Sequence, residues 1–145
     1  MPMPMEYWTA SKDFEAFLDD VRASCMLTSH HQAYHTLRAV LHVFRAHLDV
    51  QDALSFAAIL PPVVRAIFVE DWSTSSPLPF PDRETLVSEV KAIRRDHNLA
   101  PDTAIEDVAG ALRRSMDCAV LDRALSGLPD GAAAYWAVGS SARKT

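Results

Sequence analysis

Leu37, Val40, Leu41, Phe44 and Leu48 recur at three- and four-residue steps inside the stretch "HHQAYHTLRAVLHVFRAHLD". One turn of an α-helix takes about 3.6 residues, so this spacing builds an apolar stripe and leaves the other positions on the opposite side. The stepping returns at Phe14, Phe17, Leu18 and Val21, at Leu86, Val90 and Ile93, and at Ile105, Val108, Leu112 and Met116. The two-residue alternation that a half-buried strand needs is missing. Glycine interrupts the pattern only four times, three of them after position 126. The chain therefore reads as all-α.

Capping residues and prolines divide that pattern into eight predicted helices. The first covers 12–26 with Ser11 as N-cap, and the second 30–48 with Ser29 as N-cap and Gln32 three residues on. The third, 50–60, starts after Asp49, and the fourth, 62–70, opens on Pro61-Pro62, which suits a first turn. The fifth, 83–97, follows Asp82; the sixth, 101–116, begins at Pro101; the seventh, 118–127, follows Asp117; the eighth, 130–138, follows Pro129. Between the fourth and fifth lies "DWSTSSPLPFPD", whose prolines hold the preceding residues out of helix and predict an extended linker.

The two halves match at a constant offset of 68. Leu18 aligns with Leu86, Val40 with Val108, Arg45 with Arg113, Asp49 with Asp117, and Leu60-Pro61 with Leu128-Pro129. Phe44 meets Leu112, Leu48 meets Met116, and Phe68 meets Trp136. Shared order, capping and offset predict a duplication: two four-helix units packed as one bundle. The predicted organisation is an N-terminal extension at 1–10, a first unit at 11–72, a Pro/Ser-rich linker at 73–81, a second unit at 82–138 and a loose tail at 139–145.

The run "LRAVLHVFRAHLDVQDALSFAAILPPVVRAIFVEDW" also resembles the central signature of a bacterial helical family, the domain-of-unknown-function family numbered 2267. The residues that carry the likeness are Leu37, Leu41, Leu48, Leu60, Pro61, Arg65, Phe68 and Trp72, with Leu128, Pro129 and Trp136 in a degenerate second copy. The resemblance spans roughly 14–137, and "DGAAAYW" departs from the usual second-copy apolar residues. It implies a duplicated helical fold and a bacterial, cytoplasmic setting. It brings no activity, cofactor or catalytic residue with it.

Charge and composition narrow the function. At 145 residues and net charge −5, with Lys and Arg scattered, the chain lacks the basic footprint of a nucleic-acid binder. The N-terminal "MPMPMEYW" has no basic start or apolar run of the kind a secretion signal needs. The longest apolar stretch, "FAAILPPVV", is too short for a bilayer. Two cysteines, Cys25 and Cys118, make no disulfide framework or metal spacing, and the expected compartment is the cytoplasm.

The chemistry-bearing residues concentrate on the second helix. His31, His35, Arg38, His42, Arg45 and Asp49 fall on one face, opposite Leu37, Val40, Leu41, Phe44 and Leu48. His31 and His35, four apart, are weak metal candidates. No carboxylate or cysteine completes a site in those turns, and Arg38 and Arg45 repel a cation. The equivalent positions in the second half are Leu99, Thr103 and Gly110 for His31, His35 and His42, so the repeat does not need histidine there. The face is read as solvated, and His31, His35, Arg38, His42 and Arg45 as a candidate partner-binding face.

Asp49 and Asp117 are read as N-caps, each paired at the surface with the arginine four residues before it, Arg45 or Arg113. Trp72 and Trp136 read as core plugs, while Trp8 and Tyr7 are placed to dock on the domain or on a partner. No phosphate loop, nucleophile elbow, HExxH or CxxC is present. No cofactor is predicted. The expected function is a non-enzymatic helical interaction or regulatory module with a protein partner or self-association. The rival reading is a small-molecule- or metal-binding protein using the His/Arg face of the second helix.

Overall fold

The computed structural model describes residues 3–74, 76–93 and 100–139. Among them the chain is all-helical, with no strand. The helices are α1 (Met5–Trp8), α2 (Ala10–Ser24), α3 (His30–Ala46), α4 (Val50–Ala57), α5 (Pro62–Val69), α6 (Arg83–Ala92), α7 (Ala104–Ser115), α8 (Cys118–Ser126) and α9 (Ala132–Tyr135). None is long and apolar enough to cross a membrane.

Local chemistry explains the starts. Ser29 accepts from the Gln32 amide at 3.2 Å, Asp49 from Asp52 at 2.8 Å, Asp82 from Thr85 at 2.8 Å and Asp117 from Ala119 at 2.9 Å. Each carboxylate or hydroxyl satisfies an amide that the helix itself leaves free. Gln32 turns back on the Thr28 amide at 2.9 Å, the second half of a capping box displaced by one residue.

α3 is the axis of the bundle. It packs against α2, α5, α6 and α7, and Leu37, Val40, Leu41, Phe44 and Leu48 are all buried as their spacing predicts. Around Phe44 gather Phe56, Phe80, Tyr135 and Trp136, with ring centroids 4.8, 5.5, 5.0 and 5.4 Å away. Tyr135 donates its hydroxyl to the Val40 carbonyl at 2.6 Å, and burial raises its pKa well above the usual tyrosine value. Short α9 is therefore locked to the middle of α3 by one hydrogen bond and two large rings.

Several boundaries differ from the expectations. α2 starts at Ala10, so Ser11 lies inside it; Thr9 instead closes α1 and donates to Asp13 at 2.6 Å. α7 starts at Ala104 rather than Pro101, after a turn at 102–103, and α9 holds one turn where 130–138 was expected. Its entry at Gly131 needs φ 97°, and a Cβ there would lie 2.5 Å from that of Phe80. α6 ends at Ala92, and Ile93, expected inside, is 40% exposed. Residues 94–97 of the predicted fifth helix, and 140–145 of the predicted tail, lie outside the described residues. The described linker residues, 73–74 and 76–81, lie outside any helix but are pinned: Phe80 packs on Phe44 and on the ring of His47, 5.0 Å away.

Candidate functional site

The polar side of α3 faces the end of α5. His42 donates from Nε2 to the Ile67 carbonyl at 2.8 Å; a carbonyl only accepts, so that nitrogen carries the proton. Burial pushes the His42 pKa down to about 4, and the ring is neutral at neutral pH. Arg45 reaches the carbonyls of Phe68 at 2.8 Å, Glu70 at 2.6 Å and Asp71 at 3.1 Å. These carbonyls close a helix C-terminus, where partners are missing and positive charge is favoured. Asp71 is held there at φ 53°, and Arg38 bonds its carboxylate at 3.0 Å and that of Glu70 at 2.9 Å. The Arg38 hydrogen bond holds the Glu70 carboxyl below its ordinary value. Trp72, half-buried, carries the Arg45 guanidinium 5.9 Å above its ring.

This corrects two expectations. His42 and Arg45 do not lie away from the core: they are 7% and 8% exposed. Arg45 and Arg113 do not pair with Asp49 and Asp117. Arg113 instead donates to the Trp136 carbonyl at 2.8 Å and to Asp122 at 2.9 Å. A helical wheel assigns an angle, but α3 has neighbours on several sides, and the end of α5 covers the side opposite the stripe. A signal was present: Arg45 and Arg113 each precede a large aromatic, Phe68 or Trp136, by 23 residues, the separation of the observed bonds.

The remaining residues of the predicted face separate from that seam. His31 is exposed and His35 half-buried, with rings 4.4 Å apart, edge to face. Arg38 is half-buried in its carboxylate pair. Among the described residues no group of three or more His, Cys, Asp or Glu is placed to hold a metal ion. His47 is buried between the Leu78 carbonyl at 3.0 Å and Glu89 at 2.8 Å. Cys25 is buried, which raises its thiol pKa to about 12 and makes it inert as a nucleophile.

Arginine serves other helix ends too. Arg65 donates to the Ala57 carbonyl at 3.0 Å and to that of Leu60 at 2.9 Å, closing α4, and Arg83 donates to the Ala134 carbonyl at 2.7 Å in α9. Cationic side chains that looked available for a ligand are spent on carbonyls.

A concavity lies elsewhere, where α2, the α4–α5 turn and the end of α7 meet. It has a volume of about 550 Å³. Phe14, Phe17, Ile59, Leu60, Val63 and Met116 supply its apolar surface. Its rim carries Glu6, Asp13 and Asp20, with Arg114 bound to Asp20 through two bonds of 2.9 Å. Every polar side chain lining it is at least partly exposed. Next to it stands α1, with no buried residue; Met5 is 73% exposed and Trp8 68%. Sequence reasoning missed this cleft because its walls come from three distant segments. The nearest signal was the unexplained aromatic and methionine content of the first eight residues.

The chain matches, over residues 14–135, the family described as an uncharacterized conserved protein, DUF2267. A match across most of its length places the chain in that family, as the Leu-Pro and Trp pattern implied. No curated protein matches the chain.

Proposed function

We propose that the protein is a non-enzymatic interaction module that holds a protein partner in the cleft between α2, the α4–α5 turn and α7. The observation that carries this reading is a partly exposed apolar floor of Phe14, Ile59, Val63 and Met116 beside the exposed side chains of Met5, Tyr7 and Trp8. Uncovered apolar surface rimmed by charge is the usual mark of a protein-binding site. A small-molecule pocket would bury a few polar groups in its walls, and here every polar lining side chain is at least partly exposed. The seam of Arg38, His42 and Arg45 is built for stability in this account, which weakens the rival reading of a ligand or metal on that face.

The same proposal includes a duplicated origin, with units at 11–72 and 82–138. The support is hydrogen bonding that repeats at the offset of 68. Arg45 to Phe68 and Arg113 to Trp136 are both 2.8 Å, and Asp49 and Asp117 both cap the helix that follows. The family resemblance favours a bacterial cytoplasmic setting, and two unpaired cysteines fit it.

A photo-crosslinking residue placed at Ala16, exposed on the cleft wall, tests the interaction reading in native-host cells. A discrete adduct from position 16 and none from position 31 is expected. An adduct from position 31 alone would move the site to the histidine face and overturn the reading.

A further inference from the structure

Resting on that reading of the cleft, we infer that its occupant is an amphipathic helix of another protein with basic residues flanking its apolar stripe. Three features converge. The cleft runs between helices, so its apolar floor of Phe14, Ile59, Val63 and Met116 matches the stripe of an incoming helix rather than a flat strand. Its rim is acidic. Arg114, the lining cation, is engaged by Asp20 on both oxygens, and Glu6 and Asp13 are left facing outward without a cation on the rim. Asp13 takes its hydrogen bond from the neutral Thr9 hydroxyl, so its charge is not cancelled. A second copy of this chain would bring the same carboxylates together across a two-fold contact, and like charges facing each other are costly. A chain of net charge −5 also meets a basic partner at an enhanced rate.

The α1 segment extends the site. Met5 and Trp8 stand exposed within two residues of Glu6 or Ala10, which line the cleft. Tyr7 reaches the Arg65 guanidinium at 3.5 Å and anchors α1 on the α5 side. A helix lying on the floor meets Trp8 or Met5 as an added wall, and its lysines meet Glu6 and Asp13.

The test uses the full chain and two synthetic probes: a 15-residue amphipathic helix of leucine and lysine, and the same peptide with every lysine replaced by glutamate. Backbone amide shifts report the contact. The lysine peptide is expected to shift amides at 13–17, 59–60 and 63–64 and to bind about tenfold tighter than the glutamate peptide. Ala16→Arg, which fills the cleft from an exposed helix position, abolishes those shifts. The pair Glu6→Lys with Asp13→Lys reverses the preference. Equal binding of both peptides in the cleft overturns the basic partner while leaving the interaction reading standing. Concentration-dependent dimers lost in Ala16→Arg make a second copy the occupant and overturn the proposal in the same way. Shifts confined to the α3 histidines, or no shift with either peptide, overturn the proposal and remove the cleft as a peptide site.

Discussion

The seam between α3 and the end of α5 and the cleft between α2, the α4–α5 turn and α7 treat their side chains in opposite ways. In the seam, the arginine and histidine side chains of α3 are half or fully buried and each meets a carbonyl or carboxylate: His42 on Ile67, Arg45 on three carbonyls, Arg38 on Glu70 and Asp71. In the cleft, the apolar side chains of Phe14, Ile59, Val63 and Met116 stay partly exposed. A row of histidines and arginines attracts a functional reading from sequence, yet here it is spent on ending a helix. Phe14 and Val63 attract none, yet they line the uncovered surface.

That contrast can be broken, and the largest effect is expected at Arg45. Arg45→Met keeps much of the apolar stem but strands the carbonyls of Phe68, Glu70 and Asp71. A loss of about 3 kcal/mol in denaturant unfolding follows from losing charged hydrogen bonds in a buried place. Asp49→Ala and Asp117→Ala should each cost about 0.5–2 kcal/mol, with Asn and Ser recovering most of it. Equal loss with Asn would reject the capping account and make both aspartates candidates for a functional site.

His42 gives the pH dependence. Its pKa is about 4 folded and near 6.5 in an unfolded chain, so between these values the unfolded state binds more protons. The stability it contributes is complete above about pH 6.5 and is lost as pH falls toward 4. His42→Gln can still donate to Ile67 but cannot titrate. Unfolding at pH 7 and pH 5 should therefore show a smaller drop in the variant than in the parent; an equal drop would show that His42 does not hold the acid sensitivity.

Smaller effects belong to the exposed groups. Arg38→Ala should cost under about 1 kcal/mol, and added salt should shrink the difference, because Glu70 and Asp71 lie in solvent. Ala16→Arg and His31→Ala should each stay within about 0.5 kcal/mol of the parent.

Much of the fold could be read from residue spacing and capping chemistry. The buried stripe of α3 and the caps at Ser29, Asp49, Asp82 and Asp117 follow from local rules that act within a turn or two. The seam could not be read that way. Whether Arg45 faces water depends on where the end of α5 lies, 23–26 residues away. Helix ends were less legible still: Thr9, not Ser11, precedes α2, and α9 stops after one turn because Tyr135 and Trp136 are drawn into the core around Phe44. The cleft was invisible because no single segment carries it, and its apolar residues match those of the core in type and spacing.

Amide hydrogen exchange along the chain separates the two regions most directly, comparing the parent with Arg45→Met and Ala16→Arg. The account predicts that Arg45→Met collapses protection at the end of α5 and in the turn after it, residues 67–71, and that Ala16→Arg leaves it at the parental level. Protection of 67–71 unchanged by Arg45→Met, or lost equally in Ala16→Arg, would contradict the division between a seam that holds the fold and a cleft free to bind.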